Sequence, residues 1–321
     1  MKRHLPDSTA GLDYALLTHF HPDHYGAVVA SSPSSANGAY TLAGITQVGD
    51  AIRIRTLIDR GWPDYQYPAP LTDSTIANYR RFLEAQRTRG TTVERFKAGS
   101  PTQLRLRHDA AKFPTAKFRN IIGNGEAWTG TGDATHALFP PLASLAAADL
   151  PSENMCSLAF TFSYGPFRYY TGGDLPGAAD PGFPAWHAVE PMIAGVVGRV
   201  DVHVVNQHGS MGEESEPFLR ALSSSVFIVP SWAPSHPAPD VLKRIVNSRF
   251  APAERFVYAT DLRDAAKIVI GQRAGSLAAP PGHVIVRVER GGARYWVIVT
   301  SNADERDIVL SVRGPFASGV H

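Results

Sequence analysis

Apolar residues in this chain arrive in short runs separated by turn residues, a pattern of mixed strands and helices. Leu12-Asp13-Tyr14-Ala15-Leu16-Leu17 predicts a short buried strand ending at Thr18. Ile52–Leu57 predicts a second. Ala27–Ala30 reads as a helix or its first turn, and residues 31–37 as a loop. From Asp73 to Gly90, Ile76, Tyr79, Phe82 and Leu83 recur at helical spacing behind Asp73 or Ser74 as N-cap, which predicts an amphipathic helix. Further on, residues 166–171 form an aromatic-rich strand pattern, and 201–205 alternates before turning continuously apolar. Glu216–Leu222 and Asp240–Asn247 read as helices, Ser225–Pro230 and Arg255–Thr260 as strands. His283–Glu289, Ala293–Thr300 and Asp307–Val312 then predict three strands joined by turns at Gly291-Gly292 and Ser301-Asn302.

Organisation follows from these patterns. Residues 1–260 are expected to form the main domain, with 45–140 an elaborated insertion and 280–321 a β extension that completes a sheet, covers an edge or mediates association. Residues 59–70 read as an irregular aromatic segment, with Tyr65, Tyr67 and Trp128 candidates for a pocket wall. The turn-rich stretch 120–132 reads as a flexible lid.

Composition changes this picture little. The 321 residues are 44% hydrophobic, with 31 basic against 29 acidic side chains and a net charge of +2. That describes an ordinary globular protein with no charge mandate for nucleic acid. Arg105, Arg107, Lys112, Lys117 and Arg119 do cluster, either as a solvated face or as the rim of a site for anions. The sole cysteine, Cys156, has no intrachain partner and is expected to be a buried, inert thiol in a strand. No apolar run reaches the length of a membrane-spanning helix. The first ten residues lack the apolar core of a signal peptide, so a cytoplasmic location is the default expectation.

Chemistry concentrates in residues 18–26, Thr-His-Phe-His-Pro-Asp-His-Tyr-Gly. Imidazole and carboxylate are the donors that zinc and similar divalent ions take. His19 and His21 lie two apart and can converge from an extended segment, while Asp23 and His24 follow a proline and can turn toward a second ion. Downstream, Asp174 follows Gly172-Gly173 behind the aromatic strand, and His208 ends the 201–205 strand in His-Gly-Ser. His203 falls inside that strand and reads as a packed residue. His136, in a Gly/Thr-rich loop, is a weaker candidate.

The Thr-His-Phe-His-Pro-Asp-His string resembles the signature of the metallo-β-lactamase superfamily, with Thr-Gly-Gly-Asp, His-Gly-Ser and His236-Pro237 as its downstream companions. This set is most similar to the metallo-β-lactamase-like domain of ComEC-type DNA-uptake proteins, over residues 12–30 and roughly 150–250. The resemblance implies a four-layer α/β/β/α fold. It also implies two metal sites, one of His19, His21 and Asp174, the other of Asp23, His24, His208 and the shared Asp174. Asn154 stands where the family has a further histidine, so it is at most a weak partner, and the first site is expected to fill only partly. His236 is expected beside the ligands or facing substrate. Family members place a β-hairpin region ahead of the first motif, whereas 18 residues precede His19 here. The expectation is a sheet lacking part of its N-terminal strands, or further chain upstream.

The function implied is metal-dependent hydrolysis at a dinuclear zinc centre, with Mn2+ or Fe as alternatives. Metal lowers the pKa of a bound water toward about 7, and the resulting hydroxide attacks a carbonyl or phosphoryl centre. Asp23 and Asp174 are the residues placed to orient that water. Residues 209–212, Gly-Ser-Met-Gly, do not form a serine nucleophile elbow. The substrate is left open between a phosphodiester or nucleic acid and a small ester, lactone, thioester or lactam. The rival readings are an iron-dependent redox protein and a non-catalytic metal-binding module on the same fold.

Overall fold

The computed structural model describes Leu5, residues 11–247 and residues 254–320. The rest of the first ten residues, read above for a signal peptide, lies outside them. Three sheets organise the described residues, and they differ in strand number, direction and role.

The first sheet is small and parallel. β1 (Leu12–Leu16) pairs with β2 (Ile54–Asp59), which pairs with β3 (Thr92–Arg95). Its connections carry α1 (Pro22–Tyr25), α2 (Ile45–Ala51) and α3 (Ser74–Thr88). The side-chain period of two along β1 and β2 divides the apolar residues between two faces. Leu57, with Ala15 and Leu17, packs under Ile76, Tyr79, Phe82 and Leu83 of α3. Tyr14, Leu16 and Ile58 face the opposite way, toward Phe118, Leu158 and Phe160. Asp73 caps α3 by accepting from the Thr75 and Ile76 amides, as its place in the sequence predicts.

The second sheet has eight strands in the order β11-β10-β9-β8-β7-β4-β5-β6. Here β4 is Lys117–Gly123, β5 Glu126–Trp128, β6 Thr135–Ala137, β7 Ala159–Tyr164, β8 Phe167–Thr171, β9 Val202–Val204, β10 Val226–Val229 and β11 Phe256–Ala259. The β8 to β11 half is parallel and the β4 to β8 half antiparallel. Helices α4 (Val189–Val197), α5 (Glu216–Leu222), α6 (Pro239–Asn247) and α7 (Asp264–Ile270) cover its outer face through two apolar clusters.

The third sheet is antiparallel, β12 (His283–Val288), β13 (Arg294–Thr300) and β14 (Val309–Ala317). Tyr295, Val297 and Val299 of β13 pack on Phe167, Val202, Ile228 and Tyr258. The first and third sheets therefore share one face of the large sheet, each covering one end. Helices flank the outer sides of the first and second sheets, which gives the layering α/β/β/α. Residues 45–140 supply β2, β3 and β4 to β6, so they are threaded through the first and second sheets.

Several local expectations are corrected. Residues 120–132 are no lid: Asn124-Gly125, both at positive φ, form the two-residue turn of the β4–β5 hairpin, and Ile121, Ile122 and Ala127 are buried in the core. The Asn-Gly pair between apolar residues is a strong hairpin signal that the glycine content obscured. The helix expected at Ala27–Ala30 lies earlier, at Pro22–Tyr25, because the proline suits a first helical turn. Cys156 sits in a 3-10 turn, Asn154–Cys156, and not in a strand; burial pushes its thiol up to about 12. Tyr65 is core and not a pocket wall, its hydroxyl donating to buried Asp59 alongside that of Tyr79.

Candidate metal centre

The ligand-type side chains come from three strand exits that meet where the first and second sheets face each other. After β1 the chain turns through residues 18–24. β8 ends in Gly172-Gly173-Asp174, and β9 is followed by a short turn over Asn206–Gly209. The two glycines are needed because the chain passes so close to its neighbours. A Cβ on Gly172 would sit 2.0 Å from the Tyr170 hydroxyl, and one on Gly173, at φ +59°, 2.8 Å from Thr18. Backbone hydrogen bonds tie the three exits together. Leu158 donates to the Thr18 carbonyl (3.1 Å), Gln207 to the Gly173 carbonyl (3.0 Å), and the Asp174 amide to Ser157 Oγ (3.2 Å). Gln207 and His208 hold left-handed backbone at φ +44° and +58°, a conformation that costs non-glycine residues on the order of 1–3 kcal/mol.

Two groups result. His19, His21 and Asp174 form one, and Asp23, His24, Asp174 and His208 the other, the ligand atoms within each lying within 4.8 Å of one another. Asp174 serves both. Its Oδ2 lies 3.7 Å from His19 Nε2, and its Oδ1 lies 3.2 Å from His24 Nε2 and 3.6 Å from His208 Nε2. Asp23 Oδ2 stands 3.1 Å from His208 Nε2 and 3.5 Å from His24 Nε2. The two groups differ in access: His19 is wholly buried, whereas Asp23 is exposed.

Hydrogen bonding on the far side of the His208, His19 and His24 rings orients their lone pairs inward. His208 Nδ1 lies 2.9 Å from the Pro230 carbonyl, which can only accept, so this nitrogen carries the proton and Nε2 faces Asp23 and Asp174 unprotonated in the neutral ring. Thr18 Oγ1 stands 3.3 Å from His19 Nδ1 and 3.2 Å from His24 Nδ1. One hydroxyl oxygen has two lone pairs, so it can take both Nδ1 protons and leave both Nε2 atoms free. The nitrogens then crowd each other, His24 Nε2 at 3.1 Å from His208 Nε2 and His19 Nε2 at 3.1 Å from His21 Nδ1. Electron-rich atoms packed this closely, with two carboxylates, fit a cation between them, and the donor set suits zinc.

Electrostatics agree. Desolvation, then the neighbouring His24, pushes His19 down to about 2, so the ring is neutral and available to ligate. Burial opposes charge on Asp174, yet the surrounding imidazoles of His208, His24 and His19 hold its carboxyl well below the usual range.

The remaining expected residues are placed as follows. His236 is buried, its ring stacked on His208 at 4.9 Å, with Nε2 3.3 Å from Ser210 Oγ. Half-exposed Trp232 meets both rings edge-on. Asn154 opens the 3-10 turn, and its Oδ1 is buried without a hydrogen-bond partner. His203 is buried in β9 against Glu214, 3.1 Å away. His136 is exposed on β6 and belongs to neither group. Of the basic cluster, Arg107 is taken by the Tyr14 hydroxyl, Lys112 by Asp109, and Arg119 by Asp133 and the Trp128 ring.

Sequence reasoning missed the supports. Thr18 lay in plain view inside the motif. Behind His208, Asn206 is held by two buried carboxylates, its side-chain amide by Glu190 and its backbone by Glu214, with Glu213 close by on the Gly177 amide. Desolvation, then repulsion by a neighbouring carboxylate (Glu214 for Glu190, Glu190 for Glu213), pushes the Glu190 and Glu213 carboxyls up. Their only signal was an acidic run beside an apolar helix, which reads as surface.

No protein-family model matches the chain, and no curated protein does. Among solved structures the chain is similar to a mutant of CmlA β-hydroxylase, at 13% identity and a TM-score of 0.41, over 77% of this chain and 43% of that one. It is similar to Zn2+-bound PqqB from Methylobacterium extorquens, at 10% identity and 0.35, over 70% and 67%. A third likeness, at 12% identity and 0.30 over 65% and 83%, is to a Thermotoga maritima protein described as a zinc-dependent hydrolase of the metallo-β-lactamase superfamily. The chain thus spans less than half the length of the first. Likeness at this level carries no functional argument, and the architecture rests on the strands and cores described above.

Proposed function

We propose that this protein is a metal-dependent hydrolase that holds two divalent cations around Asp174, on the metallo-β-lactamase frame that its motifs resemble. One observation carries the reading: six ligand-type side chains, drawn from three separate strand exits, converge in two groups that share one carboxylate. Bound there, a pair of cations would supply Lewis acidity and a water acidic enough to ionise near neutral pH.

The chain's own residues do the rest. His19, His21, His24 and His208 offer ring nitrogens, those of His19 and His24 oriented by Thr18 and that of His208 by the Pro230 carbonyl. Asp174 offers one oxygen to each group. Asp23 is the most exposed of the six and stands where a water and a substrate can both reach it, so it would orient the water and take up its proton. The donor set of four imidazoles and two carboxylates favours zinc, with manganese or iron also accommodated. The substrate class proposed is a phosphodiester, or else a small ester or lactam.

Elemental analysis of the purified protein, paired with turnover of bis-p-nitrophenyl phosphate and of nitrocefin, tests the proposal. Two zinc equivalents and hydrolysis of one of these substrates are expected. Zinc without turnover of either would defeat the enzyme assignment, and failure to retain metal after zinc loading and dialysis would defeat the site.

A further inference from the structure

The backbone between His19 and His21 is held by an ion pair that touches neither ring. Phe20 donates its amide to Glu153 Oε1 at 2.6 Å. The same carboxylate takes both Nε, at 2.7 Å, and one terminal nitrogen of Arg60. The other terminal nitrogen donates to the Tyr67 carbonyl (2.8 Å) and to Asn124 Oδ1 (3.1 Å), and Asn124 returns a bond to the Arg60 carbonyl (2.7 Å). Arg60 is 1% exposed, and its guanidinium lies 4.9 Å over the Phe20 ring. The ring in turn packs edge-on against Tyr25 and Tyr65. Phe20 is therefore fixed on both sides, its ring by the aromatic core and its amide by a charged acceptor.

Geometry makes that fixation consequential. In an extended segment, alternate side chains point the same way, so locking Phe20 sets the direction of both His19 and His21. Glu153 also begins the turn that leads to Ser157, whose hydroxyl accepts the Asp174 amide. The carboxylate thus links the two chain segments that supply the first ligand group. The other group is held by different means: Asp23 and His24 sit on the α1 turn, while behind His208 the Asn206 amide is held by Glu214 and the His208 ring by the Pro230 carbonyl, so Glu153 reaches neither.

We infer that Glu153, backed by Arg60, is a positioning residue for the His19/His21/Asp174 group alone, and that it sets that group's metal affinity apart from its neighbour's. The inference rests on the two-metal reading above and deepens it. Charged acceptors on backbone amides are stronger than neutral ones, and loss of an outer partner of a metal ligand typically lowers affinity by about 10–100-fold.

The test is a zinc titration of metal-free protein against a chromophoric chelator, with circular dichroism as the check on folding. For Glu153→Gln, one of the two equivalents should weaken by about 10–100-fold while the other is unchanged. Because that substitution strands a buried guanidinium, the double variant Arg60→Met/Glu153→Gln, which removes both charges, serves where the single one fails to fold. Backgrounds assign the loss. In His208→Ala, where the His19/His21 group remains, Glu153→Gln should weaken the remaining equivalent; in His21→Ala it should leave the remaining equivalent unchanged. Equal weakening of both equivalents, or of neither, in a folded variant overturns the inference. A wild-type protein that holds fewer than two equivalents overturns the two-metal reading beneath it.

Discussion

The two ligand groups share Asp174 and are otherwise built on different principles. In the His19/His21 group His19 and Asp174 are buried and His21 half-buried, and its backbone is clamped from outside by Glu153 and Arg60. The Asp23/His24/His208 group is open at Asp23, and its last ligand rides on a left-handed turn braced by Asn206 and buried glutamates. The first is well positioned but has only three ligand-type side chains; the second has four. Ligand number favours the second group and enclosure protects the first. On the two-metal proposal, the difference predicts that affinity at each group is set as much by what holds the backbone as by the count of donors.

The comparison can be broken most severely at the shared residue. Asp174→Ala should reduce hydrolysis of whichever test ester the protein turns over to the background rate, and retained turnover would show that the two groups do not depend on one carboxylate. Next in size, His208→Ala and His21→Ala should each lose one metal equivalent and keep the other, read by elemental analysis after dialysis; loss of both in either variant would mean that the groups are one site. Thr18→Val removes the hydroxyl that faces the Nδ1 atoms of His19 and His24, one from each group. Both equivalents should weaken, by about tenfold each, so an effect on one alone would limit Thr18 to that group.

The smallest expected effect concerns the glutamates behind His208. Burial raises the carboxyls of Glu190 and Glu213, so the folded chain binds their protons more tightly than the unfolded chain does. Stability from these groups is full below the ordinary glutamate value of about 4.3 and is lost as pH rises through the raised values. Each proton adds a slope of about 1.4 kcal/mol per pH unit across that window. The melting temperature of metal-free protein should therefore fall from about pH 6 to about pH 9. Glu213→Gln, which keeps an oxygen to accept the Gly177 amide, should flatten the fall; an unchanged slope would remove Glu213 from the account.

Much of this was legible in the sequence. His19, His21, Asp23 and His24 were named from their spacing, and Asp174 and His208 from the metallo-β-lactamase resemblance, which asks for donors after later strands; such donors are written locally as apolar run, turn, donor. Most strands and helices after residue 200 were likewise read to within a residue or two, since each is a short apolar block bounded by turn residues; the far end of β14 and the whole of α7 (Asp264–Ile270) were not. What escaped was non-local. Glu153 serves Phe20 across 133 positions and Arg60 across 93, and no local pattern marks a carboxylate as the acceptor for a distant amide. The hairpin at Asn124-Gly125 escaped for the opposite reason, its strong local signal being lost among neighbouring glycines. Helix α4 was missed because Val189–Val197 contains Pro191 and Gly195, and it is helical chiefly through burial of Val189, Ile193 and Val197 against the large sheet.

The claim on which the rest depends is that Asp174 joins two cation sites. Zinc content after loading and exhaustive dialysis, measured side by side for the wild type and Asp174→Ala, tests it most directly. Two equivalents in the wild type and none in a folded Asp174→Ala protein are predicted. Two equivalents in both, or none in the wild type, would contradict it.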